Sequence, residues 1–261
     1  MIRYSRIARH LLPVAGLLAL ALGACVRLGM TLPYDDPQPE PQGSRIRPTL
    51  GWLAVGKEGG PLRAPDGSLA IDVVHINGHT LLQQVRHFQD DKTSWGDSTL
   101  LDRQTLRPVE TWRWTPAGTY VTSYNHRVVE RVFKPVHGSA QRSSEIVDVE
   151  PYSGLGIELV VASLPLSDSY KAMVPVVVDT SARGWSWLNI QVERELAVSE
   201  RSDVKPRQEW IVDCDLGTER IRMFIAVEGR LVRKMQWLDH DNTVLSETRR
   251  MLLGLPAHNA E

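Results

Sequence analysis

The stretch IDVVHINGHTLLQQV, Ile71 to Val85, sets two runs of β-branched and aliphatic residues on either side of Asn77-Gly78. A two-residue type I′ turn needs positive φ at both central positions, which Asn and Gly tolerate best, so the stretch reads as a β-hairpin. Its register follows: Ile76 faces His79 and His75 faces Thr80. The imidazoles of His75 and His79 then fall on opposite sides of the sheet, although on a helix the same spacing would bring them together. His87 stands eight residues beyond His79, roughly 27 Å along a strand. A zinc site needs three or four converging ligands, so no metal is expected here.

Outward from this hairpin the chain is a succession of short alternating runs divided by turn signals, the pattern of a mainly antiparallel all-β protein. ETWRWTPAGTYVTSY turns at Pro116-Ala117-Gly118, LNIQVERELAV sets Leu188, Ile190 and Val192 against Asn189, Gln191 and Glu193, and IRMFIAVEGRLVRKMQW turns at Glu228-Gly229. In WIVDCD, Trp210, Val212 and Cys214 share one face and Asp213 and Asp215 the other. Cys214 therefore reads as a buried structural thiol, since a reactive one needs an accessible, electropositive setting. DHDN, Asp239 to Asn242, lacks the twelve-residue calcium-loop pattern and reads as a solvated turn. One segment breaks the alternation: SGLGIELVVASLPLSD, Ser153 to Asp168, has apolar residues near helical spacing before Pro165. It is expected to form a short apolar helix lying against a curved sheet, an alternative being a fully buried strand.

LDRQTLRPVETWRW (Leu101 to Trp114), ELVVASLPL (Glu158 to Leu166) and MFIAVEGRLVRKMQW (Met223 to Trp237), in that order, resemble segments of a bacterial periplasmic family of unknown function. The shared features are an Asp-x-x-Thr-Leu-x-Pro strand end, a Leu-Pro-Leu after a helix and a late hairpin. That family is similar in architecture to the unclosed β-barrels of the lipoprotein carriers LolA and LolB. The resemblance spans roughly Ser68 to Leu253 and implies a half-barrel whose concave face holds acyl chains under a helical lid. It carries no catalytic residues. QVERELAVSERSDVKPRQEW, after the helix, departs from the family's Gly-bearing strand and Pro-Ala-Gly turn.

At the N-terminus, Arg3, Arg6 and Arg9 precede an apolar run that ends in Leu22-Gly23-Ala24-Cys25. A basic segment, a short apolar core and small residues make a secretory signal. The 16 uncharged residues between His10 and Arg27 reach roughly 24 Å as a helix, short of the roughly 30 Å of a bilayer core. Leu-x-small-Cys resembles the lipobox of bacterial lipoproteins, which implies residues 1–24 as signal peptide and Cys25 as the lipid-attachment site and first mature residue. The alternatives are an ordinary signal peptide with an incidental cysteine, or an uncleaved anchor. Val26, where an aspartate would favour retention at the inner membrane, implies by the same resemblance an outer-membrane protein facing the periplasm. Residues 25–48, with TLPYDDPQPEPQGSRIRP from Thr31, read as a lipidated N-terminus and Pro-rich tether, and 49–261 as a single β domain.

Removing residues 1–24 takes away three arginines and no acid, so 27 basic residues face 31 acidic ones and the net charge is −4. That leaves no basic surplus for nucleic acid. There is no Gly-x-Ser-x-Gly elbow and no phosphate-binding glycine pattern, so neither an enzyme nor a bound cofactor is expected. The aromatic residues are the candidate site. With a three-residue loop at Pro116 to Gly118, Trp112, Trp114, Tyr120 and Tyr124 share one face; Trp185 and Trp187 share another with Asn189 and Gln191. Large rings beside polar neighbours suit a concavity that receives an apolar chain or a sugar ring. The expected role is to bind or shuttle a lipid or acyl chain; the alternative is an envelope interaction module docking a protein or glycan through the aromatic face.

Overall fold

A computed structural model describes residues 40–56, 67–89, 93–178, 184–198, 207–217 and 219–252. The expected signal peptide, Cys25 and most of the expected tether lie outside the described residues. Among the described residues, fifteen strands form one sheet. The first eight are β1 (Thr49–Gly56), β2 (Gly67–Ile76), β3 (His79–Gln89), β4 (Ser94–Asp102), β5 (Pro108–Thr115), β6 (Gly118–Asn125), β7 (Val128–Pro135) and β8 (Gln141–Ile146). After the two-residue β9 (Tyr152–Ser153) comes one helix, α1 (Ile157–Ser163). The chain then runs through β10 (Lys171–Val177), β11 (Trp185–Val198), β12 (Arg207–Asp215), β13 (Arg220–Ala226), β14 (Val232–Leu238) and β15 (Val244–Leu252). The order across the sheet is β8 to β1, then β15 down to β9, so the last long strand pairs with the first and the open edges are β8 and β9. All pairings are antiparallel except β9 with β10. This is the expected all-β curved sheet, unclosed, with one short helix.

The founding hairpin forms as read. Asn77 and Gly78 have φ of 50° and 82°, and Ile76 pairs with His79 and His75 with Thr80. The His75 ring nitrogen Nδ1 and the Thr80 hydroxyl lie 3.2 Å apart. Alternation then fixes the concave face of each strand: Leu82, Gln84, Arg86 and Phe88 on β3 pair with Leu101, Thr99, Asp97 and Trp95 on β4. On the other half, Leu188, Ile190 and Val192 join Val212, Cys214, Ile221, Met223 and Ile225 in one buried core. Between Val192 and Arg194 the register of β11 against β12 shifts, as a bulge requires.

Helix α1 is short because Gly156 precedes it and Pro165 follows the last turn. All seven of its residues are buried, which places it against the concave face rather than over it. Gly156 lies so close to β4 that a Cβ would come within 3.2 Å of Thr99 and 3.3 Å of Leu101. Carbonyls at the helix's C-terminal end are met by guanidiniums: Arg45 donates to the oxygens of Ser163 (3.4 Å) and Leu164 (3.3 Å), and Arg230 to that of Leu164 (3.5 Å). Cations there satisfy orphan carbonyls and complement the helix dipole.

The folded body starts before the boundary expected at Thr49. Pro41, Gly43 and Ile46 are buried, and Gly43–Arg45 form a 3-10 turn. Arg103 donates to the carbonyls of Gly43 and Ile46, the latter at 2.8 Å. The partner loop is the Asp-x-x-Thr-Leu-x-Pro segment: the Asp102 carboxylate accepts from the Gln104 and Thr105 amides and the Thr105 hydroxyl. Burial alone would raise the Asp102 carboxyl, but these hydrogen bonds outweigh it and hold it below the usual range. Leu106, turned to φ 56°, is then driven fully into the core. The motif is a turn that anchors residues 43–46.

The two arms of the sheet overlap instead of meeting edge to edge. Val129 of β7, on the concave face by its pairing with Tyr124, packs with Val147, Val177 and Trp185. Val177 lies on the convex face of β10, opposite Val176 in the core. Arg131 fastens the seam by donating to the Gly184 carbonyl at 3.0 Å and pairing with Glu145 at 3.1 Å. The sheet is thus rolled, with β7 and β8 wrapping outside β10 and β11.

On the convex side of the first arm, the Trp114 ring lies across Gly96, where a Cβ would collide with that ring and with the Arg86 carbonyl. Gly96→Val is expected to destabilise the protein by about 1–3 kcal/mol, the range for overpacking, measured by urea unfolding.

Candidate functional site

The roll lines a half-open cavity of about 460 Å³, within the roughly 300–1,000 Å³ usual for small-molecule sites. Helix α1 fills the interior on one side, and its first residues, Ile157 and Glu158, form part of the cavity wall. The first arm contributes Phe88 and Trp95, whose rings stack with centroids 4.0 Å apart at 14°. The second contributes Val176, Leu188, Ile221, Met223, Met235 and Trp237. Cys214 also lines it; burial, reinforced by Asp213, pushes its thiol far up, so it behaves as an apolar wall atom. Asp213 itself faces outward, held by Arg222 at 2.7 and 2.8 Å.

One part of the wall is ionic. Glu158, fully buried in the first turn of the helix, pairs with Arg250 of β15 and lies 3.7 Å from Arg86 of β3. Gln84 donates to its other oxygen. Arg86 in turn donates to Asp97 at 2.8 Å and to the Leu155 carbonyl at 3.1 Å. The cluster therefore ties the helix to both arms of the sheet. Burial works against the Glu158 charge, but Arg250 and Arg86 outweigh it and hold the carboxyl below its usual range. For Asp97 burial wins: its carboxyl sits above the usual range, the attraction of Arg86 offsetting only part. Arg86, opposed by its own burial but flanked by both acids, stays firmly protonated.

None of the six aromatics expected to line a ligand site borders this cavity. The first four do not even share a face. Thr115 pairs with Gly118, so the β5–β6 loop has two residues, Pro116 and Ala117, and Trp112 and Trp114 pair with Val121 and Thr119. A one-residue change in loop length moves every side chain to the other face. Tyr120 and Tyr124 consequently join the concave face, Tyr120 stacking on Phe133 at 4.3 Å, while Trp112 and Trp114 lie on the convex one. Trp185 and Trp187 do share a face and meet edge to face at 5.9 Å. It is the convex one, where Trp185 packs into the overlap seam.

The aromatics that do line the cavity were open to the same alternation. Phe88 and Trp95 flank the charged sequence QDDKTS, and Trp237 follows Met235 by two residues, in phase with Met223 across the hairpin. Glu158 carried a signal of its own, a lone acid in an otherwise apolar helix, which must find a cation if it is buried.

Comparison of the chain with protein-family models and with curated proteins gave no match.

Proposed function

We propose that this protein is a lipid-anchored component of the bacterial envelope, attached through Cys25 to the outer membrane and facing the periplasm, that binds or shuttles a hydrophobic molecule such as a lipid or acyl chain. The observation that carries the ligand-binding part is the cavity of about 460 Å³, bordered by apolar side chains of both arms. Each Å² of apolar ligand surface buried there is worth about 25 cal/mol, so a chain is held by desolvation without directional contacts. The anchor rests on Leu22-Gly23-Ala24-Cys25. The unclosed, helix-bearing roll fits the likeness to the LolA and LolB carriers that the sequence motifs carry, with the helix inside the concavity.

The test is a titration with N-phenyl-1-naphthylamine, an uncharged apolar fluorophore that brightens out of water. The expected result is a saturable rise with one site per chain, weakened severalfold by Trp95→Ala. A linear, unsaturable signal would contradict the reading.

A further inference from the structure

Resting on that reading, we infer that the ligand is a monoanionic amphiphile, its head group held by the Arg113 guanidinium, across Asp97 from Arg86, and its chain lying against the Phe88–Trp95 stack. Arg113 of β5 borders the cavity on the concave face, directly across from Asp97. Among the described residues it has neither a hydrogen bond nor a close ion pair; it senses Asp97 only through space. The neighbouring charges leave it uncompensated. Arg86 serves both acids, Asp97 at 2.8 Å and Glu158 at 3.7 Å, and Arg250 serves Glu158 again from behind the wall. Three guanidiniums thus face two carboxylates. Glu219, the remaining acid at the cavity edge, is exposed on the β12–β13 turn, where water screens it. Apart from this ionic region, the exposed Glu219 and the neutral Ser246 and Thr248, the wall is apolar, so a bound amphiphile has one buried place for a charge, and the charge that balances it is negative. A carboxylate or phosphate oxygen there would accept charge-assisted bonds from a planar guanidinium, stronger than those to a neutral hydroxyl.

Competition against N-phenyl-1-naphthylamine at pH 8 tests this with three ligands of one chain length: dodecanoate, dodecanol and dodecyltrimethylammonium. Dodecanoate is expected to displace the probe at least about tenfold more effectively than dodecanol, the factor given by about 1.4 kcal/mol of extra binding, and the cation least of all. Arg113→Gln should erase that preference, and Arg113→Lys should restore part of it. Equal displacement by all three ligands with saturable probe binding would overturn the head-group inference and leave the cavity reading standing. Absence of saturable probe binding would overturn both. A preference that survives in Arg113→Gln would overturn the assignment to Arg113. A short-chain phosphatidylglycerol separates the two sources of the anion: displacement as strong as by dodecanoate supports a phospholipid head group, and failure to displace supports a free carboxylate.

Discussion

Glu158→Ala is expected to lower the free energy of unfolding by about 3–5 kcal/mol, the cost of removing one partner from a buried ion pair. Glu158 is fully buried and Arg250 nearly so, and the substitution leaves Arg250 without its carboxylate and Arg86 with Asp97 alone. It also unties the helix from β3 and β15, the strands whose side chains converge on it. A loss of that size is a large fraction of the stability of an ordinary domain, and urea unfolding reads it directly. Acid titration supplies the second readout. Because the folded protein holds the Glu158 carboxyl below its usual value, its contribution is present above about pH 4.3, the unfolded value, and is lost as pH falls through the folded one. Asp97, displaced upward, works in the opposite sense. The milder Glu158→Gln variant should therefore lose less stability than the wild type on acidification below about pH 4. Parallel acid curves for the two proteins would show that the pair is not formed.

Leu188→Trp is expected to block the cavity while leaving the fold in place. Leu188 points from β11 into the apolar wall, opposite the first arm. An indole there occupies space that a chain would otherwise fill. Excluding two methylenes costs a ligand about 1.6 kcal/mol at about 0.8 kcal/mol each, so uptake of N-phenyl-1-naphthylamine should weaken at least about tenfold. Overpacking a filled core costs about 1–3 kcal/mol; with open volume beside the site, the loss of stability should stay at the low end. Trp187→Ala is the contrast. Trp187 lies on the convex face, and probe affinity should not change. A larger effect from Trp187→Ala than from Leu188→Trp would place the binding face on the outside of the roll.

What the chain made legible was local. Asn77-Gly78 dictates its turn and hence the register of β2 and β3, and alternation in WIVDCD puts Cys214 inside and Asp213 outside. The helix was readable from its apolar run and its proline. The errors share one physical origin, in that each depended on geometry set by distant residues or by a single count. At Pro116-Ala117-Gly118 the glycine, with φ 149°, belongs to the strand rather than the loop, and this one position separates Trp112 and Trp114 from Tyr120 and Tyr124. The Pro-rich composition of residues 31–48 reads as a tether, but Ile46 and the carbonyls that Arg103 captures dock its last part onto the β4–β5 loop. The ionic cluster joins residues 86, 97, 158 and 250, and no pattern within any one segment announces that four such distant positions converge. The overlap of the arms is of the same kind, since Val129 and Val177 look like ordinary strand residues until the sheet rolls.

Whether the interior of the roll holds an amphiphilic or apolar molecule is tested most directly by native mass spectrometry of the protein purified gently from a bacterial periplasm or envelope, followed by solvent extraction. The expected result is a stoichiometric adduct that extracts as a lipid and is missing from Leu188→Trp prepared in parallel. A clean apo mass that stays unchanged after incubation with dodecanoate and phosphatidylglycerol would contradict it.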